Sequence, residues 1–135
     1  MRHRADVQAY RRANVLPRDQ IHGAIADRIW ATFLRGDYDT AVFQAFKEVE
    51  VAVRGAGGFP EADFGVALMR KAFDKDKGPL RDPNAVETER EATAHLFAGA
   101  IGLFKNPHSH RNVALTDPRE AVEMVLLASH LLRIV

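Results

Sequence analysis

The chain has 135 residues, 47% apolar and 27% charged, with 19 basic residues against 18 acidic ones and a formal net charge of +1. These values describe one globular domain large enough for a core of its own, and they exclude a disordered or fibrous chain. The absence of cysteine removes disulfides, thiolate metal sites and cysteine nucleophiles, and it fits a cytoplasmic location.

The opening MRHRADVQAYRRANVLP has no apolar run that would serve as a signal peptide, and no later stretch approaches a membrane span. Residues 1–16 lack an apolar stripe and read as an extended or poorly ordered arm, with Pro17 preceding the first helix. Ile21, Ile25, Ile29 and Phe33 then recur at four-residue steps, which predicts a helix over residues 18–34 stopped by Gly36. Asp37 or Asp39 caps a second helix, with Ala41, Val42, Ala45, Phe46, Val49, Ala52 and Val53 as its stripe and Gly55 as its end. The short Arg35-Gly36 connection calls for antiparallel packing of the two. A short third helix over residues 61–73 is anchored by Phe64, Leu68 and Phe73.

After the polar loop DKDKGPLRDPN, Asn84 and Glu87 have the spacing of a capping box. The helix they start runs to Asn106, where Pro107 disfavours further helical geometry, and Leu96, Phe97, Leu103 and Phe104 belong to its apolar set. Gly99 and Gly102, beside Ala98 and Ala100, make a small-residue surface for close approach of another helix, within the bundle in preference to across a dimer. The last helix opens with Asp117 as cap and Pro118 at its first position; Val122, Val125, Leu126 and Leu132 form its stripe. The expected fold is all-α: a helical bundle of four main helices plus one short helix, as a single domain over residues 17–135.

Net charge does not mark a nucleic-acid binder, but its distribution is uneven. Five arginines stand between Met1 and Gln20, and residues 92–116 contain no acid while carrying Lys105, Arg111, His95, His108 and His110. Such a window attracts phosphate. Its centre, Phe104-Lys105-Asn106-Pro107-His108-Ser109-His110-Arg111-Asn112, lies where a helix turns into a loop; Lys105, Asn106, His110 and Arg111 can face one phosphate there. The plainer account is that Lys105 complements a helix C-terminus and Asn106 is a helix stop. His108 reads as an exposed loop residue and His95 as a partly buried helix residue. Glu48 and Glu50 read as solvent-facing, with Glu48 beside the apolar stripe and within reach of the Lys105 region. No histidine pair has a metal-binding spacing with a carboxylate, and GAGG at residues 55–58 lacks the lysine and hydroxyl of a phosphate loop.

Three ordered blocks carry a resemblance. GDYDTAVFQAFKEVE (36–50), FGVALMRKAF (64–73) and GAIGLFKNPHSHR (99–111) resemble the Ymh family of uncharacterised bacterial proteins. That family in turn resembles the HEPN superfamily of small helical bundles. The superfamily's mark is Arg, a polar residue, three variable positions and His. Here Lys105 stands in the arginine position, Asn106 in the polar one and His110 in the histidine one. Lysine keeps the charge and loses arginine's forked grip on phosphate.

The resemblance implies a metal-independent endoribonuclease, or an RNA-binding relative, in a phage-defence or toxin–antitoxin setting. It also implies a homodimer with an antitoxin or defence-system partner, and no cofactor. His110 would transfer protons, Lys105 would stabilise charge, Asn106 would hold the phosphate or orient the histidine, and Ser109 and Arg111 would contact substrate. The alternative is a non-catalytic helical module for dimerisation or partner binding.

Overall fold

Ile25, Ile29 and Phe33 are completely buried along helix α1, Gly23–Leu34, in the computed structural model, which describes Val7 and residues 15–106 and 114–135. The helix begins later than its stripe predicts. Arg18–Gln20 forms a separate 3-10 turn and Ile21 is extended. His22 caps α1 with its side chain accepting from the Ala24 N–H, while its own backbone N–H donates to Ser129 Oγ at 2.8 Å. That bond ties the start of α1 to the last helix, so the chain turns at Ile21 to reach both partners. Leu16, assigned from sequence to the arm, is buried in the core; the rest of the arm, Val7 aside, lies outside the described residues.

Helix α2, Tyr38–Gly57, carries the central stripe: Ala41, Val42, Ala45, Phe46, Val49 and Val53 are fully buried. It runs past Gly55 and is closed by Gly58 in the left-handed region, φ 69°. Helix α3 is short, Gly65–Ala72. Helix α4, Glu87–Ala100, continues into a π-helical turn over Ile101–Lys105, and α5 spans Pro118–Ile134. The Asp117 side chain accepts from the Arg119 N–H, as its cap position predicts.

The architecture is an all-helical bundle, and there is no strand among the described residues. Helix α2 lies at its centre, packing against α1, α3, α5 and the π turn, while α3 packs along α4. Phe73 stacks on Phe97 with ring centroids 4.1 Å apart, which locks the end of α3 to α4. Phe46 stacks on Phe104 at 5.3 Å, which holds the π turn against α2. None of the described helices is long and apolar enough to cross a membrane.

Helix α4 differs most from its sequence pattern. The capping box does not form: the Asn84 N–H donates to Asp82 Oδ1 within the loop, and Glu87 pairs with Lys75. Leu96 and Leu103 are 44% and 67% exposed, not core. One face of α4 meets the bundle, through Phe97, Ala98 and Ala100, while Leu96, Gly99 and Leu103 on the other side are exposed. Leu126 is half-buried, whereas Val122, Val125 and Leu132 are buried as their spacing predicts.

Candidate functional site

The site is organised by a carboxylate. Glu50 sits four residues after Phe46 and three before Val53, which places it in the buried stripe of α2, and it is fully buried. A buried charge is costly unless donors surround it. Glu50 Oε1 accepts from Lys47 Nζ at 3.0 Å and from the Arg54 guanidinium at 3.2 Å. Its Oε2 accepts from the Gly65 N–H at 2.9 Å and pairs with Lys105 Nζ at 3.1 Å. Four donors match the four lone-pair sites of a carboxylate. Burial by itself would push the Glu50 carboxyl up; the Gly65 N–H and the Lys47 and Lys105 ammoniums overcome it and lower its pKa to about 2.

Each donor arrives for a structural reason. Lys47 and Arg54 lie one turn before and one turn after Glu50 on the same helix. Gly65 opens α3 with φ 65°, a conformation that L side chains rarely adopt, and this turns its N–H onto Oε2. Lys105 ends the π turn, where the Asn106 N–H bonds to the Ile101 carbonyl. An ordinary helix drifts by about 40° every four residues. The wider turn offsets that drift, so Lys105 follows the buried Phe97 and Ile101 inward and is only 8% exposed.

Asn106 is beside the same glycine: a Cβ at Gly65 would come within 3.9 Å of Asn106 Oδ1. Lys105 and Asn106, singled out from sequence, are thus brought together with Glu50 and Gly65. His110, Ser109 and Arg111, with His108, lie outside the described residues, in the segment 107–113 that follows directly.

The structure changes three sequence readings. Glu50, read as solvent-facing, is the buried centre of the cluster, and Glu50 rather than Glu48 holds Lys105; Glu48 pairs with Arg28 at 3.3 Å near the surface. The signal was present, since Glu50 interrupts an otherwise apolar stripe, a place where a charge needs partners. His95, read as partly buried, is exposed and 4.0 Å from Glu91. Phe64, read as a core anchor, is 62% exposed at the N-cap of α3.

The two helix glycines divide. A Cβ at Gly102 would meet Val66 at 3.3 Å, the intrachain close approach that the small-residue surface predicts. A Cβ at Gly99 would meet nothing within 4 Å, and Gly99 lies with Leu96, Leu103, Phe104 and Leu127 along a shallow apolar groove.

Chemically, the cluster places three cations against one carboxylate, an excess of two positive charges at the base of an acid-free segment. Among the described residues, no group of three histidines or carboxylates is arranged to hold a metal ion. A family model described as a protein of unknown function (Hypoth_ymh) matches residues 19–135. No curated protein and no solved structure matches the chain.

Proposed function

The chain belongs to the Ymh family, and we propose that it is an HEPN-like domain that binds RNA and cleaves it without a metal, in a bacterial defence or toxin–antitoxin system. The observation that carries the reading is the positive excess around Glu50, adjoining the segment that holds His110 and Arg111. Phosphate is drawn to such a place.

The reaction needs little more. The RNA 2′-oxygen bonds to the adjacent phosphorus as the bond to the 5′-oxygen breaks, leaving a cyclic phosphate and a 5′-hydroxyl. One proton leaves the 2′-hydroxyl and one reaches the 5′-oxygen, work suited to His110 and to its copy in a homodimer. Lys105 carries three donors and spends one on Glu50, so it can still stabilise charge on phosphorus oxygens. Lys47, the most exposed of the three cations, extends the field outward, and Asn106, Ser109 and Arg111 complete the phosphate contacts.

The test is a variant series on a labelled RNA. His110→Ala abolishes cleavage with folding intact, Lys105→Ala slows it by about 10²–10³-fold, Lys105→Arg preserves or raises it, and His108→Ala changes little. Equal activity in wild type and His110→Ala ends the catalytic reading.

A second reading has its own observation. The exposed Leu96 and Leu103, with Gly99 between them, are the surface of a dimerisation or partner-binding module without catalysis. That module would self-associate and leave RNA uncut.

A further inference from the structure

Phe64 is exposed in an unusual way. Exposed aromatics are ordinarily free to move, but this one stands on a backbone held from three sides. The carbonyl before it, on Asp63, accepts from Arg54 Nε at 2.9 Å. Its own carbonyl accepts from the Leu68 N–H at 3.2 Å, and the N–H after it, on Gly65, is bonded to Glu50 Oε2 at 2.9 Å. The Asp63 carboxylate is also paired with Lys71 at 3.1 Å. Two of these anchors, Arg54 and Glu50, belong to the cation cluster itself, so the backbone that carries the ring is held at its edge.

The residues on either side of it bond Arg54 and Glu50, and in the cluster so reached Lys47 is the most exposed cation, with Arg54 and Lys105 mostly buried; Val51 is exposed on the same face of α2 as Lys47 and Arg54. Burying the ring in the core would have been favourable by itself, and Leu68 and Phe73 of the same segment are buried. Phe64 instead offers an open face beside a positive field.

Cations that take backbone phosphates, next to aromatic faces that take bases, are the recurring chemistry of single-stranded nucleic-acid binding. We propose that Phe64 is a stacking platform for one base of a single-stranded RNA whose phosphate lies on the Glu50-centred cation cluster. The proposal rests on the RNA reading above and adds the base-contacting residue. Because every base has a π-face, the contact favours unpaired RNA without choosing its sequence.

The probe is a short fluorescein-labelled 2′-O-methyl oligouridine, which lacks the attacking hydroxyl and is not consumed, titrated by anisotropy in EDTA at low salt. Phe64→Ala and Phe64→Leu are expected to weaken binding by about 5- to 100-fold, the worth of one stacked base, and Phe64→Trp to restore it. The salt slope stays that of wild type, because the phosphate contacts remain. The indole emission of the Phe64→Trp variant, read against wild type to remove the Trp30 background, is quenched on binding. Thermal melts check that the exposed position leaves the fold unchanged. Equal affinity of Phe64→Ala and wild type overturns the platform and leaves RNA binding standing. Absence of binding by wild type ends both. A change in sedimentation with unaltered RNA affinity overturns it in favour of a contact between two copies.

Discussion

Glu50 is the residue on which most of the geometry converges, and removing it has a different cost from removing any one of its partners. Glu50→Gln strands the nearly buried Lys105 ammonium without a counter-charge, and chemical denaturation should show a loss of about 3–5 kcal/mol. Lys105→Met leaves Glu50 with Lys47, Arg54 and the Gly65 N–H, so its cost should be about 1.5–3 kcal/mol, the worth of one charged hydrogen bond. A larger loss for Lys105→Met than for Glu50→Gln would contradict the assignment of the centre.

The same carboxylate predicts a pH dependence. Its pKa is lowered from 4.5 to about 2 on folding, so the stability it confers is present above about 4.5 and is lost as pH falls toward about 2. The difference in unfolding free energy between wild type and Glu50→Gln should shrink across that window and be constant from about pH 6 to about pH 8. The cluster was half legible in the sequence. Lys105 and Asn106 stood out by type and spacing; Glu50 also falls at a stripe position, four after Phe46, but its charge argues for solvent unless partners are known, and those partners come from other elements.

Helix α4 shows how a stripe misleads when one face has no neighbour. Phe97→Ala should cost about 3–5 kcal/mol, since the ring is fully buried and stacked on Phe73. Leu103→Ala should change the stability of a single copy by less than about 0.5 kcal/mol, read at a protein concentration too low for self-association. Gly99→Ala should stabilise the chain by up to about 1 kcal/mol, because its Cβ meets nothing, whereas Gly102→Ala presses on Val66. Denaturant midpoints of the four variants at that same low concentration check the set; a cost of Gly99→Ala that appears only where the chain self-associates would place the helix of a second copy there. The other helices were easier to read. The stripe of α2 and the Asp117-Pro118 start of α5 are local signals that the structure keeps. The π turn leaves no such mark, since the Lys105–Glu50 pair it accompanies joins residues 55 apart in sequence.

At the scale of the molecule, an apolar groove on α4 and a cation cluster beside its end are features of one copy, and two copies would place two clusters about an axis. Sedimentation at micromolar concentration should show a dimer that Leu103→Glu converts to monomer; a monomeric wild type would contradict self-association through the groove. The central claim is that this cluster and the histidine segment beyond it act on RNA. Its most direct measurement is incubation of the wild-type protein with end-labelled single-stranded RNA in EDTA, followed by analysis of the new termini. The account predicts fragments ending in 2′,3′-cyclic phosphate, formed without metal and across an imidazole-like pH limb. RNA that remains intact and unbound at low salt would contradict it.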